Sequence, residues 1–326
     1  MINVHMLEEF DSETLAELRA RLDNQLRLTE GELPSDTHIL IGGRPTREQL
    51  MACPQLRAII VPWAGVPDTT QAMLREFPHI TVHNLHHNAA ATAEYAIALL
   101  MAAAKFIVQV DKQLRLNDWS PRYAPSRSIG LAGKTALIIG YGQIGQRVGR
   151  ACAALGMRVI ATRRKADASV RGVAEAISVE VYPTSDLLKL LPQTNALIIT
   201  APLTPETKGL IGEKEIASLP RGSILVNVGR GLIVAEAVLF SALKSGHLAA
   251  AGIDVWYRYP LSEATRSNTP PSAYPFHELD NVVLSPHRGG DEVGIDTPPM
   301  AELAELLNAA ARGEPMPNRV DVAAGY

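Results

Sequence analysis

The chain has 326 residues, enough for about two domains, and its 47% hydrophobic and 20% charged side chains are the balance of an ordinary globular protein. A net charge of −3 excludes the broad basic field that nucleic-acid binding needs, and two cysteines, Cys53 and Cys152, outside any CxxC or Cys/His cluster exclude a disulfide framework and a zinc site. The opening MINVHMLEEF carries no basic leader, and the most apolar run, AIALLMAAA (96–104), is too short to span a bilayer, so the expectation is a reduced cytoplasmic protein with no metal, membrane or nucleic-acid partner.

INVHML (2–7) reads as a strand. DSETLAELRARL (11–22) follows as a helix, with Asp11 or Ser12 as N-cap and Leu15, Leu18 and Leu22 at helical spacing. THILIGG (37–43), RAIIVPW (57–63) and ITVHN (80–84) are further strands. The Ala-rich stretch from Thr92 to Leu116 predicts one long, nearly unbroken helix, with a dimer and an interdomain role both open. The Pro-, Ser- and Gly-rich segment 117–133 is a connector or a lid. A second alternating unit runs from Lys134 to about His287, with strands at 135–140, 157–162, 196–200, 223–229, 249–255 and 281–286, and the chain closes with a helix from Pro299 to Ala311. Strands alternating with helices predict an α/β fold of parallel sheets flanked by helices.

The most informative local pattern is GYGQIG, Gly140-Tyr141-Gly142-Gln143-Ile144-Gly145, which follows a strand, opens a helix and sits in a βαβ unit. Gly140 permits the tight turn, Gly142 lets the backbone approach a pyrophosphate, and Gly145 lets helix and strand pack closely. The helix N-terminus then offers free N–H groups and partial positive charge to phosphates. In NAD-binding units an acid near the end of the second strand holds the ribose 2′-OH. Here Arg163 stands 18 residues past Gly145, in the run VIATRRK (159–165). An arginine pairs with a 2′-phosphate that an acid repels, so Thr162, Arg163 and Arg164 are read as the NADP 2′-phosphate site. The alternative is a solvated basic turn in an NAD enzyme.

SILVNVGRG (223–231) puts Arg230 just past a buried strand, where α/β sheets present residues to ligands, and VVLSPHRGG (282–290) puts His287 in the equivalent position. A guanidinium suits a small carboxylate, and an imidazole suits proton transfer near neutral pH.

With these in place the chain resembles the D-isomer-specific 2-hydroxyacid dehydrogenases over nearly its full length. The resemblance is carried by WAGV (63–66), NAAATAEYA (88–96), GYGQIG, APLTPETKGLI (201–211), NVGRGLIV (227–234), GIDV (252–255), SPH (285–287) and GEPMPNRVD (313–321). It implies two Rossmann-like domains, with a cofactor domain (104–291) inserted into a substrate domain (1–103 plus 292–326), and an active site between them. It implies that Arg230 binds the substrate carboxylate, that His287 protonates the carbonyl oxygen, and that the backbone around Ala64 and Gly65 holds the other side of the carboxylate. Asp254 resembles the residue that binds the nicotinamide carboxamide. Ala201, Pro202, Thr207, Val228 and Gly229 match cofactor-lining positions. Trp63 lies in the loop expected to touch substrate, where it shapes the pocket or packs in the core.

One departure stands out. The family usually has a glutamate before the proline that follows this Asp-Val, pairing with the catalytic histidine, and the chain has Tyr259 before Pro260 instead. The similar formate dehydrogenases carry Gln there. Without a neighbouring carboxylate, His287 is expected to titrate lower, unless Glu263 or Asp291 moves in. His86 and His87 lack a third ligand and are read as lining the cleft or exposed. The loop 261–280 covers the site in part or is plain surface.

The expectation is an NADP(H)-preferring oxidoreductase, with NAD(H) as the alternative cofactor, interconverting a small 2-oxo acid and its D-2-hydroxy acid as a homodimer. The rival readings are a dehydrogenase of another small anion, formate or phosphite, and a nucleotide-binding protein with little turnover.

Overall fold

A computed structural model of the chain describes residues 1–8, 10–164, 173–174, 177–291 and 300–322. Lys165 of the basic run and Pro299, the expected start of the last helix, lie outside them; that helix is described over Met300–Ala311. The chain divides into two compact units, residues 1–88 with 291–326, and residues 89–290. The second is thus inserted into the first. The division falls after Asn88 rather than after residue 103, because the helix Ala89–Lys105 packs on the helix Gln143–Ala154 and on the sheet of the second unit.

In the first unit, β1 (Ile2–Met6), β2 (Leu26–Thr29), β3 (Ile39–Ile41), β4 (Ala58–Val61) and β5 (Thr81–Asn84) form a parallel sheet in the order β2-β1-β3-β4-β5. The short strand Arg319–Val320 closes its β5 edge antiparallel. Val4, Ile39, Ile41, Ala58 and Ile60 pack one face against Leu303, Leu306 and Leu307 of the last helix, and Leu40, Ile59 and Val61 pack the other. Strands covered on both faces read as continuous apolar runs, which is why β3 and β4 were legible. The first helix spans Ser12–Arg21 with Asp11 as its N-cap, the carboxylate accepting the Glu13 and Thr14 N–H groups at 3.0 and 2.9 Å.

In the second unit, β6 (Thr135–Ile139), β7 (Arg158–Arg163), β8 (Val173–Ala174), β9 (Ile177–Pro183), β10 (Ala196–Ile199), β11 (Ser223–Asn227), β12 (Leu248–Ile253) and β13 (Val282–Leu284) run in the order β13-β12-β11-β10-β6-β7-β9-β8. All pairs are parallel except β8 with β9. The order reverses between β6 and β10, the crevice where doubly wound sheets bind ligands.

The helix expected over 92–116 breaks. Ala89–Lys105 and Ile107–Leu114 meet at a bend of 65°. Phe106 sits there in the left-handed conformation, φ 54°, its ring buried and the Arg127 guanidinium 4.4 Å over it. The Ala104 carbonyl is taken by the Ile129 N–H at 2.8 Å, so the chain leaves the helix to bury Phe106 and meet the returning loop. No single helix among the described residues is long and apolar enough to cross a membrane.

Candidate active site

The parallel registers of the second unit set Thr162, Ile139, Ile199, Asn227, Ile253 and Leu284 abreast on β7, β6, β10, β11, β12 and β13. Arg163, the glycine loop, Ala201, Val228 to Arg230, Asp254 and His287 all leave the same carboxyl edge just beyond that row.

The glycine loop follows β6. Gly140 has φ +92°, and a Cβ there would lie 2.7 Å from the Ala201 backbone. A Cβ on Gly145 would meet the Gly140 carbonyl oxygen at 2.1 Å, so neither position accepts a side chain. Gly142 is the N-cap of the helix Gln143–Ala154, has open space where a Cβ would be, and leaves the first turn with no side-chain cap and no acidic residue. That combination fits a pyrophosphate laid on the helix N-terminus. Tyr141 is buried with its ring against Gly149, so it serves the loop as packing. Gln143 is exposed and accepts from Arg147, and Ile144 is half-buried. Gly229 is pressed against the Ala201 carbonyl, where a Cβ would lie at 2.5 Å, and Val228 is buried beside it. Pro202 and Thr207 form a closed turn, Thr207 Oγ1 donating to the Pro202 carbonyl at 2.7 Å.

At the end of β7 the three expected phosphate ligands part. Arg163 and Arg164 are exposed, whereas Thr162 is fully buried and its hydroxyl has no partner among the described residues. The guanidiniums are therefore the accessible part of this trio.

Arg230 is exposed, with Nη1 donating to the Gly229 carbonyl at 2.8 Å. Asn227 braces the turn from both sides: its Nδ2 donates to the Arg230 carbonyl at 3.0 Å, and its Oδ1 accepts the Gly229 N–H at 3.0 Å. His287 is also exposed, and it adopts φ 61°, a conformation that a β-carbon disfavours. The buried carboxylate of Asp254 holds it there, accepting the Arg288 N–H at 2.8 Å, the Gly289 N–H at 2.9 Å and the Ser285 hydroxyl. Strained backbone persists where surrounding bonds over-determine it, as here. The resemblance implies a cofactor role for Asp254; the structure adds this brace, in which Ser285 and Trp256 take part, the Trp256 indole N–H donating to the Ser285 carbonyl at 2.7 Å. The Asp-Val-Trp (254–256) and Ser-Pro-His (285–287) segments are separated by 28 residues, and the β12–β13 pairing brings them together.

Tyr259 lies against His287, ring centroids 5.5 Å apart and planes inclined at 55°. Burial pushes its phenol pKa up, so the group is neutral across the physiological range. Glu263 pairs instead with Arg266 at 2.7 Å on an exposed turn. The second half of the loop 261–280 is pinned: Phe276 is buried in the core, and Ser272 Oγ donates to Glu236 at 2.7 Å.

In the first unit, Trp63 follows β4 and Gly43 follows the neighbouring β3. A Cβ on Gly43 would lie 2.0 Å from the Trp63 ring, and the Arg44 guanidinium is 5.7 Å from the ring centroid. Trp63 is half-buried, so it both packs and presents a face. Among the described residues the N–H groups of Ala64 and Gly65 have no acceptor, while the Ala64 carbonyl accepts from Asn84 Nδ2 at 2.5 Å. His86 and His87 are half-buried; burial lowers the His87 pKa, and the His86 N–H donates to Glu302 at 2.8 Å. No group of metal-binding side chains occurs among the described residues.

Residues 97–289 match the model of the D-isomer specific 2-hydroxyacid dehydrogenase NAD-binding domain. The chain belongs to this family. It is 36% identical over 235 residues to a glyoxylate reductase of Korarchaeum cryptofilum, covering 71% of the chain and 65% of that protein. It is 32% identical over 279 residues to a D-3-phosphoglycerate dehydrogenase of Mycobacterium leprae, covering 85% of the chain and 49% of that protein. Less than two thirds of either relative's length is thus spanned. Among solved structures, a D-isomer specific 2-hydroxyacid dehydrogenase from Xanthobacter autotrophicus Py2, in complex with NADPH, superposes with a TM-score of 0.80 at 24% identity over 99% of both chains. An NADPH-dependent glyoxylate/hydroxypyruvate reductase from Sinorhizobium meliloti gives 0.77 at 22% over both whole chains. The fold is that of these dehydrogenases: two parallel-sheet domains flanked by helices.

Proposed function

We propose that this chain is an NADP(H)-preferring reductase of a small 2-oxo acid, yielding the D-2-hydroxy acid. The observation that carries the reading is the common edge of the second unit, where one strand-end row presents a dinucleotide loop, a guanidinium and an imidazole. Family membership and relatives named as glyoxylate reductases support it.

The glycine loop and the helix N-terminus behind it hold the pyrophosphate, and Arg163 and Arg164 pair with the 2′-phosphate. The nicotinamide, when bound, supplies the hydride. Arg230 clamps the substrate carboxylate bidentately and so fixes which carbonyl face is presented. His287, protonated, hydrogen-bonds the carbonyl oxygen and gives it the proton as negative charge develops there; in the reverse direction it takes the hydroxyl proton.

The chain is further inferred to pair with a second copy. Ile107, Val110 and Leu114 lie on one face of a helix without a buried residue, and each is at least 41% exposed. Contiguous apolar surface of this kind marks interaction sites. Both cysteines are free and buried, which suits the reducing cytoplasm. The test of the reading is product analysis: glyoxylate, hydroxypyruvate, branched and aryl 2-oxo acids are incubated with NADPH, and the hydroxy acids are resolved on a chiral column. D-2-hydroxy acid from the wild type and none from His287→Gln, with NADPH binding retained, supports it. NADPH binding with no product moves the reading to another anion, formate or phosphite, or to a binding role.

A further inference from the structure

Three features converge on the side chain that replaces the glutamate expected before Pro260. The turn 256–259 is fixed at every residue. Trp256 is buried against Phe276, ring centroids 5.9 Å apart, and donates through its indole to Ser285. The Tyr257 hydroxyl donates to the Val234 carbonyl at 3.0 Å, and the Arg258 N–H donates to the Pro271 carbonyl at 3.0 Å. The turn then folds back so that the Tyr259 hydroxyl accepts the Trp256 N–H at 3.0 Å. The ring so anchored meets the His287 imidazole at 5.5 Å between centroids. Finally, Gly231 lies against this turn so closely that a Cβ would meet the Trp256 carbonyl oxygen at 2.3 Å, which locks the Arg230 loop to the same frame.

We propose that Tyr259 is a positioning residue of His287: its ring, packed against the imidazole at 5.5 Å between centroids, sets the orientation of that ring. This rests on the reductase reading for its kinetic consequence and on geometry alone for the placement. An aromatic face orients an imidazole through shape and quadrupole rather than charge. It therefore adds no carboxylate to a site that must bind an anion. Among the described residues, the Arg230 guanidinium and the Asp254 carboxylate act on the Tyr259 phenol that faces His287, the Asp254 carboxylate holds the backbone of the histidine loop, and Arg288 and Asp291 follow next along the chain.

Two readouts separate placement from chemistry. The imidazole Hε1 resonance of His287, assigned by its loss in His287→Gln, is expected upfield in the wild type from the Tyr259 ring current. It stays upfield in Tyr259→Phe and moves to the random-coil position in Tyr259→Leu. An unchanged resonance in Tyr259→Leu overturns the proposal whether or not the protein reduces any 2-oxo acid. In kinetics, Tyr259→Leu is expected to lose kcat by about tenfold or more, the order expected for a misplaced proton donor, with KM for the 2-oxo acid little changed. Tyr259→Phe recovers most of that loss. Tyr259→Glu shifts the pH–rate limb of the histidine to higher pH than in the wild type. A Leu variant with wild-type kcat, or a Glu variant with an unmoved limb, overturns it. Absence of turnover in the wild type contradicts the reductase reading alone, and the resonance then decides the placement.

Discussion

The Asp254 carboxylate holds Gly289 by its backbone: Oδ2 accepts the Gly289 N–H at 2.9 Å, and a Cβ on Gly289 would lie 2.8 Å from the same oxygen. The histidine loop is thus fastened to the end of β12 by a buried charge and kept close by a missing side chain. Asp254→Ala leaves the Arg288 and Gly289 N–H groups unsatisfied and is expected to destabilise the protein by about 1–3 kcal/mol in urea unfolding. Loosening the loop is also expected to lower kcat on the order of 10²-fold. Gly289→Ala, which removes no hydrogen-bonding group, is expected to give the same kinetic signature by pushing the loop off the carboxylate.

Arg163 carries the second prediction. A guanidinium on a phosphate is worth about 1.5–3 kcal/mol, so Arg163→Ser is expected to weaken NADPH binding roughly 10–100-fold. NADH, which lacks the 2′-phosphate, is expected to bind as before. Fluorescence titration with both nucleotides checks this, and equal loss for both points to a damaged fold rather than a lost phosphate contact.

A third prediction concerns Trp63. Gly43→Ala drives a Cβ into the indole, and overpacking of this kind destabilises by about 1–3 kcal/mol. The urea midpoint is expected to fall accordingly, and the indole emission to shift as the ring is displaced. A Gly43→Ala variant with wild-type stability and unmoved emission contradicts the packing of Trp63 on this glycine.

The fourth is a pH dependence of stability. His83 is buried, and burial lowers its pKa from the ordinary 6.5, with the Pro317 carbonyl raising it in part and Arg319 lowering it. His5 is shifted down by burial too. A buried histidine with a depressed pKa is neutral in the folded protein while its unfolded counterpart takes up a proton below about 6.5. The unfolded state then binds more protons, so stability falls as the pH drops through 6.5 and levels off below the folded-state pKa. Urea midpoints at pH 7.5 and pH 5.5 are expected to differ less in His83→Gln than in the wild type.

Much of this was legible in the chain. β6, β10 and β11 are unbroken apolar runs covered on both faces, and GYGQIG carries its own steric logic, so strand, loop and helix were read together. Two strands were not legible, β2 (LRLT) at the edge of its sheet and β9 (ISVEVYP) between β7 and β8, because both mix polar with apolar residues. The break at Phe106 left no local sign, since a left-handed phenylalanine is set by the Ile129 N–H arriving from a later loop. Arg230 and His287 stand out in the sequence because both follow apolar strands. The grip of Asp254 on the histidine loop, and the Tyr259 ring on the imidazole, depend on β12 pairing with β13 and on a turn that folds back on itself. Neither leaves a spacing rule to read.

The central claim is that this edge reduces a 2-oxo acid with a preference for NADPH. Initial rates on one panel of 2-oxo acids, measured with NADPH and NADH side by side, test it most directly. Turnover of at least one acid, faster with NADPH and with the preference lost in Arg163→Ser, is the result expected. NADPH that binds but is not consumed by any acid on the panel contradicts it.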